Sequence, residues 1–300
     1  NKKISDLKKP QAEWRKNIID KIWRIQNPTV IFSHFMVINT IVGYVKKDES
    51  MVCFYPDNCS ITKLNRSEDE IHLAYQAARK AFQKRILIDI DPKEKSKIMR
   101  AIASKLREYK HEGGKLLSKE NGKTIAQCEG EFTGAADTFD YYAGMTDKIE
   151  NKLIPSGSDT FNYVVLEPFG VTLQIVPWNY PVSIFASMVA QNLIVGNTII
   201  IKPPELCPIS SNLYGRIFQE VGLPDGVVNI IHGYGEITGR KLVQNKECDY
   251  IVFTGSPEVA SEILKETADR IIPCHFELGG KSAAIIYSDA DIDKAVDSTI

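Results

Sequence analysis

Five short clusters of chemically capable residues follow apolar runs in this 300-residue sequence, at 177–181, 202–205, 233–239, 254–256 and 276–282. They combine glycine, lysine, glutamate and asparagine, which let a backbone approach a ligand, carry charge or donate hydrogen bonds. Each cluster alone has an ordinary explanation, because Gly-x-Gly is common in turns and Lys-Pro-x-Glu is usually a solvated turn. Their shared placement after apolar runs indicates a common ligand site.

The elements that must position these clusters alternate regularly after residue 150. Strands are predicted at 164–166, 171–176, 199–201, 227–231, 251–253 and 283–287, with a helix at 212–220. Strands that alternate with helices imply a parallel sheet covered on both faces. Ligands of such sheets lie at the carboxyl ends of the strands. The predicted chemistry therefore follows Val176, Ile201, Ile231 and Phe253.

The pattern before residue 150 is mainly helical. Residues 1–36 form a basic, helix-prone lead-in, and residues 36–64 have an extended pattern. Ser67 and Glu70 form a capping box, which predicts a helix directly after it. The buried face of that helix is predicted to carry Ile71, Ala74, Tyr75, Ala78 and Phe82. Further helices are predicted from Pro92, at 116–120 after an interruption at Gly113-Gly114, and at 125–142.

Composition excludes several classes of protein. Lys and Arg number 37 against 38 Asp and Glu, so the formal net charge is −1, and a dedicated nucleic-acid binder would need a basic footprint. The hydrophobic share of 43% excludes wholesale disorder, and the length predicts two domains. The apolar-leaning run 29–42 is too short and too polar for a membrane-spanning helix.

The six cysteines are widely scattered, without a Cys-x-x-Cys pair or the spacing of zinc ligands. This usage is typical of reduced cysteines in an intracellular protein. The chain begins at Asn1, and a charged helical stretch separates its basic start from the first apolar run, so no secretory signal is predicted. We therefore expect a cytoplasmic location and no metal site.

The five clusters, in this order and at these spacings, resemble the NAD(P)-dependent aldehyde dehydrogenase superfamily. The resemblance runs from about residue 37 to Ile300 and includes the segments 222–229 and 289–296. It implies an α/β fold, with a Rossmann-like, parallel-sheet NAD-binding domain built from 37–148 and 168–279. Residues 149–167 would form the small β bridging and oligomerisation arm, and 280–300 the truncated start of a catalytic domain. Residues 1–36 are an extension without a family counterpart.

The resemblance also implies roles for residues of the cofactor site. Lys202 and Glu205 match the residues that meet the adenosine ribose, where a carboxylate accepts bonds from both hydroxyls and repels a 2′-phosphate. Glu205 therefore favours NAD over NADP. Ser256 would contact the pyrophosphate beside Gly255, and Gly235 would lie against the adenine. The expected cofactor-binding set is Val176, Pro177, Trp178, Lys202, Glu205, Gly235, Gly239, Phe253, Gly255, Ser256 and Leu278.

Two further residues match catalytic positions of the family. Asn179 matches the residue whose side-chain amide stabilises charge on the aldehyde oxygen, although an Asn there could instead cap the turn before Pro181. Glu277 matches the general base that activates the water hydrolysing a thioester. Between Phe276 and Leu278, we expect it to be semi-buried with a raised pKa.

The family's nucleophilic cysteine follows the segment that matches 289–296, and this sequence ends at Ile300. Cys274 is no substitute, because an offset of three places it on the face of a strand opposite Glu277. Two hypotheses stay open: an NAD-dependent aldehyde dehydrogenase of which this is the N-terminal portion, and a catalytically dead NAD-binding or interaction protein. The first implies an aldehyde substrate and a homodimer or homotetramer, with no nucleic-acid partner and no membrane span.

Overall fold

The computed structural model describes residues 69–299, together with the isolated positions 13 and 17. The predicted lead-in at 1–36, the extended pattern at 36–64 and the Ser67 cap lie outside the described residues, apart from those two positions. The helices are α1 (Asp69–Gln83), α2 (Pro92–Glu108), α3 (Lys110–Asn121), α4 (Ile125–Ala143), α5 (Pro181–Val195), α6 (Pro208–Glu220), α7 (Arg240–Gln244), α8 (Pro257–Thr267) and α9 (Ile292–Thr299). The strands are β1 (Lys152–Ile154), β2 (Asn162–Val164), β3 (Val171–Ile175), β4 (Thr198–Lys202), β5 (Val228–Ile230), β6 (Tyr250–Gly255) and β7 (Cys274–Leu278).

A five-stranded parallel sheet in the order β5-β4-β3-β6-β7 forms the centre of the described fold. Every residue of β4 is buried, and its side chains alternate between the two faces of the sheet. Ile199 and Ile201 join the core formed with α2, α4, α5 and α6, whereas Ile200 joins the core formed with α1, α7 and α8. The predicted α/β class with a Rossmann-like parallel sheet is confirmed.

Helix α2 begins where the sequence predicts it, and α1 has residues of the predicted buried face in the core. Tyr75 and Ala78 of α1 are fully buried, as the predicted face requires. Asp91 caps α2, because its side chain accepts a hydrogen bond from the Lys93 N–H at 2.7 Å, and Pro92 occupies the first turn. No helix of the described chain is long and apolar enough to cross a membrane.

The prediction of an interruption at Gly113-Gly114 is wrong, because α3 runs through both residues. A side chain at Gly113 would place its Cβ 2.2 Å from the Phe132 ring, and one at Gly114 would lie 2.7 Å from Glu129. The two glycines therefore let α4 pack closely against α3. The chain instead turns at Tyr109, between α2 and α3.

Two strand predictions also need correction. The strand predicted at 164–166 lies at Asn162–Val164, because its antiparallel pairing with β1 matches Val164 to Lys152 and Ile154 to Asn162. No strand forms at 283–287, where Ile285, Ile286 and Tyr287 are exposed. A strand needs a neighbour for its backbone hydrogen bonds, and none of the described residues pairs with this segment.

A glycine pair on the α3–α4 interface gives a stability prediction. We expect Gly113→Ala to lower the free energy of unfolding by about 1–3 kcal/mol, because the new methyl overlaps the buried Phe132 ring. The matched control is Gly134→Ala on α4, where a Cβ meets nothing within 4 Å. That control should raise stability by up to about 1 kcal/mol through helix propensity. Urea denaturation measures both, and equal effects would contradict the close packing.

Glu220 at the end of α6 gives a second prediction. Hydrogen bonds from the Tyr109 hydroxyl, Lys105 and Arg216 lower the pKa of Glu220 to about 2. A carboxylate with a lowered folded-state pKa stabilises the protein above its unfolded pKa, and that contribution disappears as pH falls toward the folded value. The stability difference between wild type and Glu220→Gln should therefore shrink from about pH 5 to about pH 3. Exposed Glu150→Gln is the control, and a constant gap would contradict the prediction.

Candidate functional site

A cleft of about 1340 Å³ opens at the carboxyl ends of β3, β4, β6 and β7. The parallel sheet brings these ends to one edge, so segments distant in sequence meet there. Every residue predicted for the site lines this cleft: Val176, Pro177, Trp178, Asn179, Lys202, Glu205, Gly235, Gly239, Phe253, Gly255, Ser256, Glu277 and Leu278. Their convergence makes the cleft the candidate site.

Lys202 and Glu205 form the charged part of the cleft. Lys202 ends β4 with its side chain only 3% exposed, and its Nζ donates to Glu205 Oε2 at 2.8 Å and to the Pro203 carbonyl at 3.1 Å. Partial burial by itself would raise the pKa of Glu205. The hydrogen bonds from Lys202 and from backbone N–H groups, including that of Gly235, outweigh burial and hold this pKa below its ordinary value. Glu205 is therefore an ionised acceptor at neutral pH.

The turn after β5 forms the wall beside Glu205. Gly233 has φ 151° and lies so close to the Thr238 side chain that a Cβ there would be 2.0 Å from Oγ1. Only glycine fits this position, which lies two residues before the π-helical turn Gly235–Gly239. A Cβ at Gly235 would lie 3.9 Å from Glu205 Oε1, and one at Gly239 would lie 3.7 Å from the Lys202 side chain. Both glycines thus face the charged pair.

The turn from β6 into α8 forms the opposite wall. The Ser256 hydroxyl caps α8 by accepting a hydrogen bond from the Val259 N–H at 3.4 Å. Gly255 leaves room for the Phe253 ring, which a Cβ would approach to 2.4 Å. Phe253 is itself buried, so it supports the floor of the cleft from below. Apolar side chains line the adjoining slot between α7 and α8: Val243, Val259 and Ile263.

Trp178 and Asn179 lie on the exposed loop between β3 and α5. Asn179 Oδ1 accepts a hydrogen bond from the N–H of the next residue, Tyr180, at 3.1 Å, and this bond is not a cap, because a cap joins the side chain to an N–H two or three residues further on. The same bond fixes which side of the amide is the oxygen and leaves the Nδ2 hydrogens as the outward donors. The oxyanion interpretation of Asn179 therefore stays a prediction, and these amide hydrogens are the donors that it requires.

The expectation of a semi-buried Glu277 is wrong. Its side chain is 67% exposed, and its Oε1 lies 3.0 Å from His275 Nε2 on the same strand. β7 is the last strand of the sheet, and none of the described elements packs over the face that carries Glu277. Cys274 and Phe276 alternate onto the other, half-buried face, as the strand geometry predicts.

The described cysteines do not resemble an activated nucleophile. Cys128, Cys207 and Cys248 are buried, and Cys274 is half-buried. Burial raises the pKa of all four thiols, that of Cys248 to about 11. A reactive cysteine needs the opposite shift. Among the described residues there is also no group of three His, Cys, Asp or Glu side chains arranged to hold a metal ion.

Sequence reasoning missed the groups that hold the Trp178-Asn179 loop from behind. They are Asn121, the last residue of α3, Lys123, two residues later, and Glu131 on α4. Asn121-Gly122 reads as a helix stop, and the stop is present, with Gly122 at φ 84°. One signal in the sequence could have indicated these groups. Glu131 is a charged residue on the buried face of α4, where it precedes Phe132.

The comparisons with known proteins agree with this geometry. Residues 46–300 match the family model described as "Aldehyde dehydrogenase family". The chain is 35% identical to an aldehyde dehydrogenase of Davidiella tassiana over 80% of this chain and 49% of the relative. It is 36% identical to the betaine aldehyde dehydrogenase of Bacillus subtilis over 78% of this chain and 48% of the relative.

A solved structure gives the same result. The NAD+ complex of an aldehyde dehydrogenase from Bacillus cereus matches with a TM-score of 0.74 and 34% identity, over 77% of this chain and 47% of that one. The chain thus spans about half the length of the relatives it matches. The family model covers most of the sequence, so the chain belongs to the aldehyde dehydrogenase family.

Proposed function

We propose that this chain is the dinucleotide-binding portion of an NAD-dependent aldehyde dehydrogenase. The enzyme would oxidise an aldehyde to a carboxylic acid through a cysteine thioester. One observation carries the proposal: the ionised Glu205, the capped start of α8 and the outward amide of Asn179 all border the same cleft. The solved relatives include an aldehyde dehydrogenase with NAD+ bound, and this chain shares its fold.

The residues of the cleft suit a dinucleotide. The apolar slot of Val243, Val259 and Ile263 fits a base, and Glu205 fits the hydroxyls of its ribose. The N-terminus of α8, which is the positive end of the helix dipole, suits a pyrophosphate. When bound, NAD accepts the hydride that leaves the substrate carbon, so this portion of the protein has to supply position and electrostatics.

Glu205 supports NAD in preference to NADP. Its carboxylate is held ionised by Lys202, so it accepts hydrogen bonds from hydroxyl groups and repels a phosphate at the same place. Lys202 offsets this repulsion only in part, because its ammonium is already occupied by Glu205 and the Pro203 carbonyl.

Asn179 and Glu277 would perform the catalytic steps assigned to this chain. The Asn179 amide would donate a hydrogen bond to the aldehyde oxygen as negative charge develops on it. The Glu277 carboxylate would take a proton from the water that attacks the thioester carbonyl, which releases the acid and the thiol. The thiol would not come from any of the four described cysteines, because they are buried or half-buried with raised pKa.

The domain layout proposed for the whole enzyme follows the same reasoning. Residues 37–148 and 168–279 would form the cofactor domain, and 280–300 would begin the catalytic domain. The β1–β2 ribbon exposes Leu153, Phe161 and Tyr163, which supports its role as an arm that joins copies into a homodimer or homotetramer. The relatives include mitochondrial and peroxisomal enzymes, so a cytoplasmic location stays a prediction.

Cofactor selectivity tests the role of Glu205. We expect Glu205→Gln to weaken NAD binding about 10-fold, since a charge-assisted hydrogen bond is worth ~1.5 kcal/mol. The same change removes the repulsion of a 2′-phosphate, so the ratio of NADP to NAD affinity should rise. Isothermal titration with both dinucleotides measures the ratio, with exposed Glu167→Gln as control. An unchanged ratio would rule out Glu205 as the selectivity residue.

Trapping the acyl-enzyme tests the proposed reaction. The native protein, mixed with an aldehyde and NAD and quenched with acid, should carry an acyl adduct on one cysteine, detected by intact-mass and peptide analysis. Asn179→Ala should slow adduct formation about 100-fold or more, because it removes an oxyanion donor. A protein that binds NAD but never forms the adduct would be the catalytically dead alternative.

A further inference from the structure

The loop that carries Asn179 is held by side chains that do not line the cleft. Asn121 Nδ2 donates to the Trp178 carbonyl at 2.6 Å, and Lys123 Nζ donates to the Asn179 carbonyl. The Lys123 ammonium also lies 3.6 Å from the centroid of the Tyr180 ring. Three consecutive loop residues are therefore fixed from the end of α3, on the side away from the cleft.

Glu131 connects this anchor to α5. Its side chain is 3% exposed, and its Oε1 lies 2.5 Å from Lys123 Nζ. Its Oε2 accepts hydrogen bonds from the Val182 and Ser183 N–H groups at 3.3 Å and 3.4 Å, at the first turn of α5. These N–H groups have no partner within the helix and form its positive end. One carboxylate thus caps α5 and neutralises the lysine that holds the loop before it.

Asn179 is held at two places, its backbone carbonyl and its side-chain oxygen. The carbonyl of Asn179 is held by Lys123, and the side-chain Oδ1 is held by the next N–H, that of Tyr180. Both contacts restrain the torsions that set the direction of Nδ2. A shift of the loop by about 1 Å would therefore move the amide donor relative to a substrate, and such shifts can cost about 100-fold in rate.

We propose that Lys123, neutralised by Glu131, is a positioning residue that orients the Asn179 amide for its role at the aldehyde oxygen. This inference rests on the proposed function, because it needs Asn179 to be the oxyanion donor. It adds a requirement that the cleft itself does not contain: a cation on the far side of the loop. A purely structural role would affect folding or dinucleotide binding, whereas a positioning role affects the rate of acyl-enzyme formation through Asn179.

The test is a double-mutant cycle in the native protein, with single-turnover acyl-enzyme formation as the readout. Lys123→Met should slow this step about 10-fold to 100-fold and leave NAD affinity unchanged, because Glu205 and the start of α8, which are proposed to hold the dinucleotide, are held by Lys202 and Ser256 rather than by Lys123. Lys123→Arg should recover most of the rate, since it keeps the charge and the donors. Adding Lys123→Met to Asn179→Ala should cause no further loss, and exposed Lys115→Met on α3 should behave as wild type.

Two safeguards keep the outcomes separate. Lys123→Met leaves Glu131 with a buried charge, so the pair Lys123→Met with Glu131→Gln and the milder Asn121→Ala are measured as well, each with its urea midpoint. The positioning role would be overturned if Lys123→Met lowered the rate of acyl-enzyme formation equally in the wild type and in Asn179→Ala. It would also be overturned if the rate fell only in proportion to the urea midpoint or to NAD affinity. Either result would leave the proposed function intact. A wild-type protein without acyl-enzyme formation would overturn both.

Discussion

The buried ammonium of Lys202 is the constraint from which the chemistry of the cleft follows. β4 is covered on both faces, so its last side chain leaves the sheet without access to water. An unpaired cation there would cost several kcal/mol in lost hydration. Glu205, three residues later, pairs with this cation, and the Gly235 N–H donates a further hydrogen bond to the same carboxylate. The carboxylate of Glu205, which faces the cleft, is therefore required by the burial of Lys202 at the end of β4.

Helix α4 both packs in the core and supports the candidate site. Phe132 fills the space that Gly113 leaves open, and the neighbouring Glu131 accepts hydrogen bonds from the start of α5 and pairs with Lys123, which holds the loop of Asn179. Packing of α4 against α3 therefore also sets the distance between Lys123 and Glu131. The core and the site share this helix, so changes in one affect the other.

The sequence predicts features that depend on neighbouring residues and misses features that depend on contacts between distant segments. The strands and their terminal clusters are local patterns, and the parallel topology then requires that the clusters meet, which the cleft confirms for Lys202, Glu205 and Ser256. The prediction of a break at Gly113-Gly114 is wrong because these glycines are needed for close packing against Phe132, which is far along the chain. The exposure of Glu277 and the missing strand at 283–287 depend on which elements cover the sheet edge, which no local pattern contains. Lys123 was missed because its partners, Glu131 and Asn179, lie on two different elements.

The edge of the sheet has a practical consequence for handling this portion of the protein. Among the described residues β7 pairs only with β6, so its other side presents unpaired N–H and C=O groups. Such an edge is a template for pairing with the same strand of a second molecule, and long apolar edges aggregate. His275 and Glu277 place polar side chains on the exposed face of this strand, next to that edge. Replacing either with an apolar residue would therefore remove a barrier to edge-to-edge aggregation, whatever it did to catalysis.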